Sequence, residues 1–431
     1  MKRILIIHYH LNPGGVTRII ESQVQALREH DPSYEILILT ASCQKPDIIE
    51  QTGTKIILEE KLNYLTTQSD CNSVYKVLKQ FFTGIITPDD ILHIHNLNLG
   101  KNPVLTLIIS ELAAEGYRII NHAHDFAEDR PANYKYMKSI VRKISEKSLH
   151  EVLYPDLPNI LHIVLNFSDS RRLRDYGINQ DKIFVLPNPV VFPSYFQIRD
   201  RVQNRNSISK KLNLDSSKLI ITYPVRVIRR KNIGEFILLC CLFSDSAAWL
   251  VTQPPKNPEE VKFYVQWKKF CKTYSIPVLF EVGDLVDFEL LIMASDYCFT
   301  TSTMEGFGMV FLEPWLLGTP VIGRNIPKVT SDIKETGILF PLLYDSIDIL
   351  RKGRKIDFAQ LNMAEQMKFI VELVKDPEKK GDLFLRNRFL EKLLISVDQS
   401  LIDRNKAIIL QEFSLEHYAK RLKTIYKKLT G

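Results

Sequence analysis

What this 431-residue chain lacks narrows its class quickly. No apolar run reaches the ~18 residues that a membrane span needs. The apolar stretch Ile4 to Ile7 behind Met1-Lys2-Arg3 is too short for a signal segment and runs into His8, His10 and Pro13-Gly14-Gly15, so it reads as a first β-strand. Only six cysteines are present, Cys43, Cys71, Cys240, Cys241, Cys271 and Cys298, scattered without metal-ligand spacing. A chain this long needs no disulfides, so they read as reduced core thiols of a cytoplasmic protein. Neither sign of charge dominates. A net charge of +7 falls short of the clustered excess of a nucleic-acid binder, though it favours phosphorylated ligands or an anionic membrane surface. There is no low-complexity tract and no short internal repeat, and 45% hydrophobic with 25% charged residues excludes disorder and fibrous repeats. No Asp-x-Asp pair follows a strand: Asp284 and Asp287 are separated, and Asp169 sits between serines. No obligatory metal is therefore expected.

What is present is an alternation of short β-branched runs with longer helical patterns, the sequence form of βαβ units in a parallel sheet. Arg3 to Tyr9 reads as the first strand and Thr17 to Glu29 as the helix behind a glycine turn. Further strands are expected at Tyr34 to Thr40, Ile56 to Leu58, Ile91 to His95, Arg118 to His122, His162 to Asn166 and Lys182 to Leu186. From Pro189 to Lys218 the pattern dissolves into Pro, Asn, Ser and Arg, which places an interdomain linker there. A second series follows at Leu219 to Pro224, Trp249 to Thr252, Val278 to Val282, Tyr297 to Thr301 and Pro320 to Ile322. The expectation is an α/β protein of two doubly wound, Rossmann-like domains, 1–195 and 196–412, facing a cleft. Residues 413–431 form a strongly periodic closing helix. In such sheets ligands sit outside the carboxyl ends of the strands.

The richest stretch is Glu305-Gly306-Phe307-Gly308-Met309-Val310-Phe311-Leu312-Glu313-Pro314. If it is one helix opened by the Gly-x-Gly turn, eight positions separate the two carboxylates by about 12 Å and leave them within roughly 80° of one face. That gap exceeds the roughly 5 to 9.5 Å between carboxylates flanking a single glycosidic bond. One long ligand fits better: a nucleotide sugar, with its sugar near Glu305, its ribose near Glu313, and its phosphates between them at a helix start, where backbone N–H groups favour anions.

With these residues in view, the chain resembles glycosyltransferase family 4, the retaining enzymes of the GT-B fold that use nucleotide-diphosphate sugars. The resemblance covers nearly the whole chain. It rests on Glu305 to Glu313 with Gly318-Thr319-Pro320, and on Arg226 and Lys231 in Pro224 to Asn232. It also rests on Gly14-Gly15-Val16-Thr17-Arg18, His124-Asp125, Pro187-Asn188 and the closing Phe413-Ser414-Leu415-Glu416. It implies a hexosyltransferase whose last helix crosses back onto the first domain. It also implies retention by front-face attack without a side-chain nucleophile, the departing phosphate oxygen taking the acceptor proton. The second domain would bind a donor of the GDP-mannose or UDP-glucose type, and the first would bind the acceptor. The segments 122–134 and 225–232 further resemble a subgroup that acts on a phosphorylated glycerate glycoside in compatible-solute synthesis.

Each position has a chemical reading and a plainer one. Arg226 and Lys231 would neutralise the diphosphate as the sugar leaves, or belong to the solvated basic turn Arg229-Arg230-Lys231. The resemblance gives Glu305 the donor-sugar hydroxyls and Glu313 the ribose hydroxyls, with Gly306, Phe307, Gly308, Met309 and Val310 lining the donor between them; a capping and a surface glutamate are the alternatives. Gly14 and Gly15 permit close approach of a phosphate, although any strand-to-helix turn likes glycine. Arg18 would reach an acceptor phosphate or pair with Glu21. The resemblance sets His124 beside the donor sugar's reactive face, against a buried satisfied histidine. Asn188 counts among the substrate contacts. The polar run Asp125 to Tyr134, including Asn133, would serve the acceptor or be a surface loop with one internal ion pair. Lys135 to Ile144 is basic and partly amphipathic, so a membrane-associated transferase of lipid or cell-surface glycan assembly competes. A nucleotide-sugar epimerase of the same fold is a further alternative. A catalytically silent sugar-binding regulator would have lost Glu305, Arg226 or Lys231, and this chain keeps all three. The donor's identity, the acceptor and the oligomeric state stay open.

Overall fold

The computed structural model describes residues 2–44, 47–191 and 201–430. The chain divides into two compact units, Met1–Val191 with Phe413–Gly431, and Phe192–Glu412. The boundary expected at 195/196 lies outside the described residues.

Unit 1 carries a seven-stranded sheet of β1 (Lys2–Ile7), β2 (Tyr34–Thr40), β3 (Lys55–Leu58), β4 (Ile91–His95), β5 (Arg118–His122), β6 (Ile160–Val164) and β7 (Ile183–Val185), in the order β3-β2-β1-β4-β5-β6-β7. Every pairing is parallel. Strands buried on both faces read as continuous apolar runs, and Ile4-Leu5-Ile6-Ile7 is fully buried. Leu5, Ile7, Leu37, Leu39, Leu92 and Ile94 point to one core, which includes residues of the helices Cys71–Ile85 and Pro103–Ala114. Ile4, Ile6, Ile36, Ile38 and Ile91 point to the other, beneath the first helix (Gly15–His30) and the last (Leu415–Thr430). The last helix buries Tyr418, Leu422 and Tyr426 there, which is why the chain's end belongs to unit 1.

Unit 2 carries β8 (Leu219–Arg226), β9 (Ala247–Gln253), β10 (Val278–Leu279), β11 (Tyr297–Thr300), β12 (Val321–Arg324) and β13 (Leu343–Tyr344), in the parallel order β10-β9-β8-β11-β12-β13. An antiparallel hairpin of β14 (Asp348–Arg351) and β15 (Arg354–Asp357) follows. The helix Ile233–Phe243 is buried almost all round, as its run Phe236-Ile-Leu-Leu-Cys240 requires. Arg324, at the end of β12, bonds both the fully buried Glu235 of this helix and Asp357, and the Tyr344 hydroxyl donates to Glu235 at 2.7 Å. That buried group fastens the helix that follows the turn Arg229–Lys231.

Three expectations are corrected. The segment read as linker between Pro189 and Lys218 contains the helix Arg201–Leu212. Its sequence is polar because its side chains seal open carbonyls rather than bury apolar area: Arg201 donates to Gly318 and Ser295, Asn204 to Leu290, and Arg205 to Ala294 and Lys218. The residues 122–134 are not one loop, since a helix begins at Pro131 and takes in Asn133 and Tyr134. Proline at the first helical position has no N–H to leave unpaired. Of the six cysteines, all free, Cys240, Cys271 and Cys298 are buried but Cys43, Cys71 and Cys241 are only partly so.

Candidate active site

In unit 2 the strand order reverses between β8 and β11, and the loops leaving those two strands hold Arg229–Lys231 and Glu305. Such a switch point is where a parallel sheet opens a crevice for ligands. β8 ends at Arg226, and the turn Arg229–Lys231 leads into the helix Ile233–Phe243. The loop after β11 runs on to Glu305. The loops are stitched together through the backbone carbonyls of Arg230, Lys231 and Asn232. Thr303 N–H donates to the Arg230 carbonyl at 2.9 Å, Thr301 Oγ1 donates to the carbonyls of Lys231 and Asn232 at 2.8 and 2.9 Å, and the Tyr223 hydroxyl donates to Lys231. Asn232 takes the left-handed conformation at φ 52°, which turns the chain into the helix.

This stitching delivers two cations to one carboxylate. Lys231 Nζ donates to one oxygen of Glu305, and Arg230 Nη1 donates to the other at 2.8 Å. The Glu305 side chain is only 7% exposed, so the ion cluster is largely removed from water. Burial alone would raise the Glu305 carboxyl, but Lys231 and Arg230 together outweigh it and hold it below the usual carboxylate range. Lys231 is lowered by burial and by Arg230, with Glu305 opposing. Arg226 stands differently: it is half-buried, and its guanidinium has no hydrogen-bond or ion-pair partner among the described residues.

The stretch after Glu305 corrects the one-helix expectation. Glu305 precedes any helix, Met309–Phe311 is a single 3₁₀ turn, and the helix that holds Glu313 runs only from Glu313 to Leu316. Gly308 breaks the path at φ 84°, and a Cβ there would meet Phe311 and Val329 at 2.8 Å. Glycine at 308 is thus explained by packing as well as by backbone conformation. Phe307 and Val310 are buried, Met309 and Glu313 are half-buried, and Gly306 is exposed. The relation between the two carboxylates is therefore set by a turn.

Unit 1 repeats the arrangement. Its switch point lies between β1 and β4, and the loop after β1 enters the first helix at Gly14-Gly15. No side chain caps that helix start and its first turn holds no acid. Gly14 is extended at φ −171° and a Cβ on Gly15 would meet nothing within 4 Å, so neither glycine is required by the protein's own backbone or packing. Arg18 is exposed one turn along. Behind β5, His124 and Asp125 are held by Asn96, whose Oδ1 accepts from both backbone N–H groups at 3.0 and 2.8 Å. His124 is half-buried, and burial lowers it to about 4, Asp125 opposing.

The polar run beyond His124 is largely satisfied from within. Asp125 pairs with Arg130 at 2.8 Å, Asp129 with Arg172 at 2.8 Å, and Glu128 accepts from the Tyr154 hydroxyl at 2.9 Å. Asn133 donates to the Leu99 carbonyl, and Tyr134 is half-buried. Asn188 is 6% exposed and its Oδ1 has no hydrogen-bond partner among the described residues. The helix Pro131–Ile144 turns Met137, Ile140 and Val141 into unit 1, so its apolar stripe is occupied by the protein's own core. No helix among the described residues is long and apolar enough to cross a membrane.

The sequence reading gave no role to Asn96, Gln23, His95 or Glu235, and gave Arg230 only to a charge run. A signal for the histidines was available: His93 and His95 are two positions apart on β4, and His122 ends β5 with His124 two positions further on, a spacing that sets polar rings on one face. His93, His95 and His122 bring ring nitrogens within 4.8 Å of one another, the one group among the described residues with that proximity. His93 Nε2 already faces His122 Nδ1 at 3.1 Å, and both nitrogens of His95 are engaged.

No family model matches the chain. It is 27% identical to the mannosylglucosyl-3-phosphoglycerate synthase of Petrotoga mobilis, over all of this chain and 92% of that protein. It is 23% identical to the mannosylglucosylglycerate synthase of the same organism, over 86% of this chain and 93% of the other. Among solved structures, Anabaena HepE in complex with UDP and glucose aligns with a TM-score of 0.63 at 14% identity, over 99% of this chain and 100% of that one. Sucrose-phosphate synthase from Thermosynechococcus elongatus aligns with a TM-score of 0.64 at 16% identity, over 100% and 99%. The chain therefore has the GT-B fold.

Proposed function

We propose that this protein is a hexosyltransferase that moves a sugar from a nucleotide-diphosphate donor to an acceptor hydroxyl, with retention at the anomeric carbon. The observation that carries the reading is the cation set at the β8/β11 switch point: Lys231 and Arg230 clamped on Glu305, with the half-buried Arg226, whose guanidinium has no partner among the described residues, at the end of β8. A diphosphate leaving group needs positive charge preorganised where negative charge grows. Arg226 supplies a planar donor fork for that purpose and Lys231 a point charge. Glu305, with both oxygens already taken by cations, is a weak nucleophile, which favours front-face attack over a covalent glycosyl intermediate. Its remaining lone pairs accept from donor-sugar hydroxyls, and Glu313 accepts from the ribose.

The acceptor belongs to unit 1. Supporting this are the uncapped start of its first helix at Gly14-Gly15, with Arg18 nearby, and His124 behind β5. A cavity of about 510 Å³ lined by Lys61, Tyr64, Ser69 and Ser73 lies in the same unit, and Tyr64 packs edge-on against Tyr9 and His10 just beyond β1. The names of the two Petrotoga mobilis relatives support a glucosylglycerate or its 3-phosphate as acceptor and mannose as the transferred sugar. A carboxylate or phosphate tail suits the free N–H groups of that helix start.

Two outcomes test this. Incubation with GDP-mannose, UDP-glucose and other donors, each with glucosyl-3-phosphoglycerate, glucosylglycerate or simple sugars, should release nucleoside diphosphate only when donor and acceptor match. Turnover should persist in excess EDTA, since protein cations rather than a metal would balance the diphosphate; activity that returned only with Mg²⁺ or Mn²⁺ would overturn that part. Donor consumption without acceptor would favour an epimerase instead. The second outcome concerns Gly15→Ala. It should raise thermal stability slightly, by about 0.4 to 1 kcal/mol, because the backbone tolerates it. It should also lower kcat/KM roughly tenfold or more by displacing the acceptor. Unchanged kcat/KM would remove the helix start from the acceptor site.

A further inference from the structure

The histidines of unit 1 form a connected network with one root. His93 and His95 stack at 4.8 Å, His95 and His124 at 5.2 Å, and His122 and His124 at 4.4 Å. Beneath them lies Gln23 of the first helix, fully buried. Its amide touches both arms. Oε1 faces His95 Nε2 at 2.8 Å, while Nε2 faces His93 Nδ1 at 3.2 Å and the Tyr426 hydroxyl at 3.0 Å.

An amide oxygen only accepts and an amide nitrogen only donates, so this orientation assigns every proton. His95 must carry its proton on Nε2 to donate to Gln23. Being neutral, it presents a lone pair at Nδ1, so His124 Nε2, 2.9 Å away, must be the donor. That leaves His124 Nδ1 as a bare acceptor, with no partner among the described residues on this half-buried side chain. On the other arm the Tyr426 hydroxyl donates to His93 Nδ1 at 2.8 Å, and His93 Nε2–H donates to His122 Nδ1. Neutrality follows from burial, which lowers His93 to about 3 and His95 well below the usual range, with neighbouring imidazoles adding to it. Reversing the Gln23 amide would reverse the protons along both arms. One side chain thus controls the network.

We propose that Gln23 is a positioning residue that fixes the tautomer of His124, so that His124 accepts a hydrogen bond from a ligand hydroxyl and offers it no N–H. The identity of that ligand as a sugar rests on the transferase reading; the tautomer does not. A site built around an acceptor discriminates strongly against analogues that lack the matching hydroxyl, because its lone pair is then left unpaired.

The test uses the full-length protein labelled with ¹⁵N-histidine, with the His124 resonances assigned by comparison with His124→Asn. Long-range ¹H–¹⁵N correlation should show His124 protonated at Nε2 in the wild type. Gln23→Met fills similar volume but removes both polar atoms, and should give a mixed tautomer at His124. Gln23→Glu keeps an acceptor toward His95 and should retain the wild-type tautomer. Kinetically, Gln23→Met should lower kcat/KM roughly tenfold, about the worth of one net hydrogen bond, with Gln23→Glu closer to wild type. His124 protonated at Nδ1 in the wild type would overturn the proposal, as would an unchanged tautomer in Gln23→Met. If Gln23→Met does not fold, the wild type and Gln23→Glu still decide. Failure of the transferase reading would look different: the tautomers would be as stated, and no variant would transfer sugar.

Discussion

Arg226→Ala should lower turnover by about 100- to 1,000-fold, the cost of removing one preorganised donor from a developing anion, and leave thermal unfolding where it was. The second half of that expectation is specific to this structure. Arg226 makes no hydrogen bond or ion pair among the described residues, so nothing in the fold depends on its charge. Lys231→Ala should fail in two ways. It loses comparable catalytic stabilisation, and it also strips one of the two cations from Glu305, whose side chain is 7% exposed. Breaking a buried pair costs about 3 to 5 kcal/mol; Arg230 remains on the other carboxylate oxygen, so the lower end is expected. The contrast is the diagnostic. Turnover and thermal melts measured on both variants should give two inactive proteins, only one of them less stable. Wild-type-like turnover in Arg226→Ala would sink the donor-site assignment.

Unit 1 should lose its fold in mild acid while unit 2 keeps its own. All ten histidines of the sequence lie in residues 1–191 and 413–431, and none in 192–412. Six of them are held neutral by burial: His8 and His93 at about 3, His124 and His162 at about 4, and His95 and His122 well below the usual value. The unfolded chain binds protons at these sites from near pH 6.5 downward, and the folded chain does not until much lower. Their contribution to stability is therefore complete above about pH 6.5 and is lost as pH falls toward the folded values. At pH 5.5 each such group disfavours the folded state by about 1.4 kcal/mol, so six together come to about 8.4 kcal/mol, the scale of a whole domain's stability. In unit 2, Glu305 is instead held below the usual carboxylate range and is still ionised at that pH. The three tryptophans, Trp249, Trp267 and Trp315, all lie in unit 2, which separates the signals. Far-UV ellipticity should fall in part between about pH 6 and 4.5 while tryptophan fluorescence holds its native spectrum. A single transition shared by both probes, or none above pH 4, would contradict the account.

How much of this was legible beforehand can be judged residue by residue. The apolar runs at 4–7, 36–39, 91–92 and 119–120 are strong signals because a parallel strand buried on both faces admits little else. With the runs at 219–222, 249–251 and 297–299, they marked two βαβ series, and hence the strand ends where ligands gather. The helix Arg201–Leu212 was illegible because its stability comes from side chains reaching carbonyls some ninety or more residues away, and no local periodicity records that. The run from Glu305 to Glu313 was misread as one helix because good helix formers follow the glycines. The left-handed turn at Gly308 is decided by the close packing of Phe311 and Val329.

By itself, then, the sequence determined the α/β class and the doubly wound pattern, because periodicity is a local property; Arg226, Lys231, Glu305 and His124 were singled out by resemblance, and their roles are proposals. The tertiary structure alone decided which charge meets which. Arg230, inconspicuous in a basic run, lands on Glu305 from 75 residues away, and Gln23 meets His95 across 72. Such partners are chosen by the order of strands in a sheet, which brings the end of β8 beside β11 and the first helix over β4 and β5. A hydrogen bond also depends on fractions of an ångström that no spacing along a chain can carry.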